Sequence, residues 1–185
     1  QLDIRCSINP TTGREEEIST AKAAAPKRVV VIGAGPAGME AAHAAWERGH
    51  EVLLLEKSRE VGGQLNLASL PPGRKEIENF RNFLHDRLQR SDVKILKPKT
   101  ATGTFVKEYG PDVVILAVGA HPRKIRVKGL GKERMIPSWD ILRSKGDPRE
   151  PILVLGAGLV GCEAADLLSE AGKKVVLVEI LPEIA

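Results

Sequence analysis

An α/β fold is expected, with a parallel sheet flanked by helices on both faces. One observation is a glycine-rich strand–helix signature that occurs twice without a gap, as VVVIGAGPAGMEAA from Val29 and as ILVLGAGLVGCEAA from Ile152. A second is an acidic residue closing the strand after each signature, Glu56 and Glu179. The third is that Gly33 maps to Gly156, Gly35 to Gly158, Gly38 to Gly161 and Gly49 to Gly172, every pair separated by the same number of positions. One Gly-x-Gly-x-x-Gly is weak evidence; two, each between an apolar strand and a helix, point to two dinucleotide sites in one chain. This is a Rossmann-like plan, and the second unit is expected to be truncated.

In the first copy, Val29 to Ile32 is a short β-branched run suited to a parallel strand covered on both faces. Gly33 permits the tight turn out of that strand, Gly35 lets a pyrophosphate approach the backbone, and Gly38 lets the helix pack on the strand. The helix is expected from about Pro36, through Ala37, to Arg48, with proline at a first-turn position that needs no N–H donor. Its free amides and positive dipole end would face the phosphates. Gly49 stops it, Val52 to Leu55 forms the next strand, and Glu56 can accept hydrogen bonds from ribose hydroxyls. Lys57 follows, and Gly62-Gly63-Gln64 brings a second loop toward the cofactor.

Pro71-Pro72-Gly73 reads as a turn. Glu76 to Arg90 reads as an amphipathic helix with Ile77, Phe80, Leu84 and Leu88 on one face. Val93 to Leu96 is a short strand, and Thr100 to Tyr109 is expected as a small β-excursion. Asp112 to Ala120 reads as another buried apolar strand, ending in Gly119 where backbone can lie against a ligand. Trp139 to Leu142 is expected as a short helix within a crossing segment. The second copy then repeats the plan: strand Ile152 to Leu155, helix Leu159 to Ala171, stop at Gly172, and strand Val175 to Val178. No arginine follows Glu179, where Ile180-Leu181-Pro182 stands. A carboxylate there repels a 2′-phosphate, so NADH is favoured over NADPH at this site.

GAGPAG, Glu56 and Gly62-Gly63-Gln64 resemble the FAD fingerprint of the two-dinucleotide flavoproteins with a pyridine-nucleotide-disulfide-reductase-like fold. In that family a later Ala-Thr-Gly strand end contacts the flavin nucleotide; Gly119 stands at its glycine, and Ala117-Val118 departs from its Ala-Thr. The second fingerprint resembles the family's NAD(P)H site. The resemblance thus implies FAD at Gly33, Gly35, Pro36, Ala37, Gly38, Glu56, Lys57, Gly63, Gln64 and Gly119. It implies the pyridine nucleotide at Gly156, Gly158, Gly161 and Glu179. The stretch Cys6-Ser7-Ile8-Asn9-Pro10 resembles iron–sulfur flavoenzymes related to 2,4-dienoyl-CoA reductase and trimethylamine dehydrogenase. By that resemblance Cys6 is the fourth thiolate of a [4Fe–4S] cluster in a parent protein, with three ligands and an FMN-bearing barrel outside this chain. One thiolate cannot hold such a cluster. Electrons would run from NAD(P)H to FAD, then to the cluster and FMN, to reduce an enoyl-CoA-type substrate. Alternatives are the electron-input module of a glutamate-synthase-like or ferredoxin-linked reductase, and a non-catalytic ADP- or dinucleotide-binding module.

The expected layout is a lead-in over 1–25, an FAD-binding domain over 26–128, a crossing over 129–150 and the start of an NAD(P)-binding domain over 151–185. With no initiating methionine and a second unit lacking further strands, the chain reads as a piece of a longer polypeptide, inactive by itself. Formal charge is +4, from 28 basic and 24 acidic residues, and aromatic side chains make up 3%. Basic residues without interleaved aromatics suit anionic dinucleotides rather than nucleic acid. Two distant cysteines make no disulfide framework, and no long apolar span or signal peptide is evident, so a cytoplasmic protein with no membrane partner is expected. The oligomeric state is left open, a homo-oligomer included. Cys162 reads as a small buried side chain, the four histidines as surface or packing residues, and Glu40 and Glu163 as equivalent helix positions facing cofactor or solvent. No residue reads as an acid, base or nucleophile.

Overall fold

The computed structural model describes residues 4–184 apart from 5, 7, 19, 20, 124, 126, 130, 132 and 133. It forms two compact units, Gln1–Leu65 with Ile77–Gly119, and Asn66–Glu76 with Ala120–Ala185.

The first unit is built on four parallel strands: β1 (Arg28–Ile32), β2 (Glu51–Leu55), β3 (Lys94–Leu96) and β4 (Val113–Leu116), in the order β3-β2-β1-β4. Val29 lies beside Val52 on one side and Val113 on the other. Alternate side chains divide between the two faces, as a period of two demands. Val29, Val31, Val52 and Leu54 meet Met39 and Ala42 of α1 (Pro36–Glu47), and Leu84 and Leu88 of α3 (Lys75–Gln89). The short helix α2 (Leu65–Ala68) has no counterpart in the expected elements. Val30, Leu53 and Leu55 pack on the opposite face against Phe105 and Tyr109.

Those aromatics sit on a helix, α4 (Gly103–Tyr109), where a β-excursion was expected. Its ends explain the difference. Thr102 is extended and its Oγ1 accepts the Phe105 amide at 3.2 Å, while Gly110 closes the helix in the left-handed region at φ +63°. Two caps and partial burial of Phe105 outweigh the β-propensity of Thr104 and Val106. Thr102→Ala is therefore expected to cost about 1 kcal/mol of unfolding free energy. Urea unfolding reads this directly, and an unchanged midpoint would deny the cap its role.

The strand expected over Asp112 to Ala120 is shorter and is not buried on both sides. β4 lies at the sheet edge, with Val114, Leu116 and Val118 exposed. The second unit shows the same departure. Its strands β5 (Ile152–Leu155) and β6 (Val175–Val178) pair in parallel, with Ile152 beside Val175. Beside them lie α5 (Ser138–Leu142) and α6 (Leu159–Glu170), and Ile141, Ile152 and Leu168 form the core. Leu153, Leu155, Val176 and Val178 remain exposed. These four are the repeat equivalents of Val30, Ile32, Leu53 and Leu55, which α4 covers in the first unit.

Candidate functional site

In the first unit, the turn out of β1 is wedged against the end of β4. Gly33 has φ +102°, and a Cβ there would stand 2.3 Å from the Ala117 carbonyl oxygen. Gly35 is the extended N-cap of α1 with no side chain capping the helix, and Pro36 follows in the first turn. Ala37 stands in the same turn. The leading amides are thus left to whatever anion enters. A Cβ on Gly38 would fall 1.8 Å from the Gly33 carbonyl oxygen, so the helix lies against the turn backbone to backbone.

The second loop crosses this turn. Gly62 N–H donates to the Ala34 carbonyl at 2.7 Å, and a Cβ on Gly63, at φ +54°, would lie 2.9 Å from Gly35 Cα. Gly119 also has positive φ, at +71°, and a Cβ there would meet Gln64 Nε2 at 3.4 Å. The structure therefore gathers Gly33, Gly35, Gly38, Gly63, Gln64 and Gly119 around one strand edge. Lys57, next to Glu56 in the chain, is exposed.

Glu56 is 7% exposed, and its carboxylate is already engaged. Oε2 accepts the Ala34 amide and Oε1 the Ser58 amide, each at 2.8 Å. This latch is not legible in the sequence, where Glu56 reads as an acceptor of ribose hydroxyls. Each carboxylate oxygen has two acceptor sites, so one on each stays available to a ribose diol.

The second unit repeats the geometry. Gly156 has φ +98°, and a Cβ on Gly161 would fall 1.8 Å from its carbonyl oxygen. Gly158 is the extended N-cap of α6, again without side-chain capping. Glu179 Oε2 accepts the Ala157 amide at 2.6 Å, while Oε1 accepts the amides of Ile180 at 2.7 Å and Leu181 at 3.0 Å. The amides of Leu181, Ala157 and Ile180 hold this carboxyl below the usual glutamate range, so it is anionic at neutral pH. Cys162 is half-buried rather than buried, and its thiol donates to the Ala157 carbonyl at 3.3 Å.

Glu40 and Glu163, equivalent in the repeat, both turn out to be ion-paired. Glu40 accepts from Arg87 at 2.7 Å and Glu163 from Arg74 at 2.6 Å. His43 is buried in packing beside Arg87. No sequence signal marks these partners, which are far apart along the chain.

Cys6 is exposed, and the Asn9 amide donates to its sulfur at 3.4 Å. The Asn9 amide, with that of Ile8, lowers the thiol's pKa from its usual value. Ser7 of the same stretch lies outside the described residues. Among the described residues no group of three or more His, Cys, Asp or Glu could hold a metal ion. None of their helices is long and apolar enough to cross a membrane.

Two glycine cradles on parallel α/β units, each latched by a glutamate, define a protein of the dinucleotide-binding class. Residues 27–185 match the pyridine nucleotide-disulphide oxidoreductase family, and the chain belongs to it. It is 46% identical, over 189 residues, to an NADH oxidase of Thermoanaerobacter brockii, covering 100% of this chain and 29% of that protein. Among solved structures, 2-naphthoyl-CoA reductase shares the fold with a TM-score of 0.89 and 29% identity, over 97% of this chain and 27% of that one. Histamine dehydrogenase from Rhizobium sp. 4-9 does so at 0.81 and 26%, over 97% and 30%. These similarities agree with the resemblance to the trimethylamine dehydrogenase and 2,4-dienoyl-CoA reductase group. The chain spans less than a third of the length of each of these relatives.

Proposed function

We propose that this chain is the electron-input part of a flavin-dependent oxidoreductase, with NADH at the second cradle and FAD at the first. One observation carries this: the glutamate-to-alanine-amide latch recurs at equivalent positions, at 2.8 and 2.6 Å, beneath two uncapped helix starts. When bound, the two cofactors supply hydride and electron transfer. The residues' work is placement. Gly33, Gly35, Gly38 and Gly63 keep side chains out of the phosphate path, and Glu56 faces the ribose. Pro36, Ala37, Lys57, Gln64 and Gly119 complete the flavin side. Gly156, Gly158, Gly161 and Glu179 do the same for the pyridine nucleotide.

In a longer polypeptide Cys6 would be one of four thiolates holding a [4Fe–4S] cluster, which together with FMN in a barrel would supply one-electron chemistry. An enoyl-thioester type of substrate would be reduced there, in the cytoplasm. The likeness to 2-naphthoyl-CoA reductase supports that direction. Spectroscopy of the purified protein with FAD tests the core of the reading. A yellow complex that bleaches on adding NADH is expected; colourless protein that binds ADP alone overturns it.

The anionic Glu179 makes the second cradle selective. Glu179→Gln removes the charge that repels a 2′-phosphate, and the NADH-to-NADPH preference is expected to fall at least about tenfold. Comparing the Kd of the two nucleotides checks this; an unchanged ratio would remove Glu179 from nucleotide choice.

A further inference from the structure

His43 has two partners that a single ring nitrogen cannot serve together. The residue sits on α1 and is 8% exposed. Its Nδ1 lies 2.8 Å from Arg87 Nη2 and 3.4 Å from Glu47 Oε2. A guanidinium only donates, so the Arg87 contact requires a bare lone pair at Nδ1. An ionised carboxylate only accepts, so the Glu47 contact requires a proton there. Arg87 has other anchors: its Nη1 donates to Glu40 Oε2 at 2.7 Å, and its guanidinium lies 5.4 Å from the Phe83 ring. The charged groups around the imidazole are thus Arg87 from α3, and Glu40 and Glu47 from α1.

We propose that His43 is an acid-responsive clamp between two helices: neutral, it accepts the Arg87 N–H and reinforces the tie of α3 to α1 that Glu40 also makes; protonated, it gives Nδ1–H to Glu47 and gives up its own bond to Arg87, which keeps Glu40. The exchange takes up one proton from solvent and breaks no covalent bond. Burial, then the Arg87 cation, oppose charging of the ring, and the two glutamates only partly offset them, so protonation begins below the usual histidine range. As pH falls from about 6.5, the unfolded chain binds a proton that the folded ring resists. Stability contributed by the clamp is therefore complete above that pH and declines through the window beneath it. α1 is also the helix whose first turn forms the first cradle, but the clamp holds whatever that turn binds.

Trp46 reports the switch, since its ring centroid lies 5.5 Å from that of His43. The chain has two tryptophans, so Trp139→Phe leaves a single emitter. Titrating emission downward from about pH 8 is expected to show a transition with its midpoint under 6.5. His43→Gln abolishes it, because the glutamine carbonyl still accepts the Arg87 N–H without titrating. Arg87→Met shifts the midpoint up and Glu47→Gln shifts it down. A packing role would produce no such opposed shifts. Glu47 is partly exposed, so its variant folds and decides the matter even if Arg87→Met does not. A transition that survives in His43→Gln, or a midpoint unmoved in Glu47→Gln, overturns the proposal.

Discussion

Gly38→Ala is expected to lose about 3 kcal/mol of stability, at the upper end of what overpacking does. The added methyl would stand 1.8 Å from the Gly33 carbonyl oxygen, with Ala117 Cβ at 3.2 Å behind it. Backbone must move, and it has little room: Gly33 is itself pressed on the Ala117 carbonyl, where a Cβ would have only 2.3 Å. Gly161→Ala is the instructive comparison. Its methyl meets the Gly156 carbonyl at the same 1.8 Å, yet a Cβ placed on Gly156 finds nothing within 4 Å. That turn can retreat, so the loss there is expected to be nearer 1 kcal/mol. Both variants distort an anion cradle and should weaken nucleotide binding. Urea unfolding of the two, side by side, measures the difference. Equal losses would mean that the contact of the first turn with β4 does not limit its movement.

Glu56→Gln is expected to lose about 2 kcal/mol, the usual scale for disrupting a buried hydrogen bond to a charged group. The carboxylate accepts two backbone amides, from Ala34 and Ser58. A carboxamide has one acceptor oxygen, so whichever amide faces the new NH2 group loses its partner in a buried place. The damage is local to the turn that approaches Gly63, so flavin retention should fall with stability. Thermal unfolding, with release of bound flavin followed by absorbance, checks both. A variant as stable as the native chain would show that the latch contributes nothing, and that Glu56 serves ribose alone.

The repeat makes both glycine turns legible in the sequence. Strand, glycine turn, helix, glycine stop and acidic strand end are short-range features, and each is dictated by a residue with a distinct backbone or hydrogen-bonding capacity. The helix α4 was obscured because a threonine cap and a closing glycine are weak signals beside a run of β-branched and aromatic residues. Its identity depends on Phe105 and Tyr109 finding the face of Val30, Leu53 and Leu55, which only the folded sheet presents. The strand edges were misread for a related reason. An apolar run states that a side chain tolerates burial, and only the sheet order states whether a neighbour covers it.

Local chain chemistry by itself determined the two parallel α/β units, their glycine turns and the two glutamates, since period, turn geometry and spacing are all written within a few dozen residues. Tertiary structure alone decided that each glutamate latches its own glycine turn, that Gly63 crosses Gly35, and that Glu40, Glu163 and His43 take partners from distant helices and loops. Those contacts join residues far apart in the chain, and their distances are set by packing, which no local pattern records.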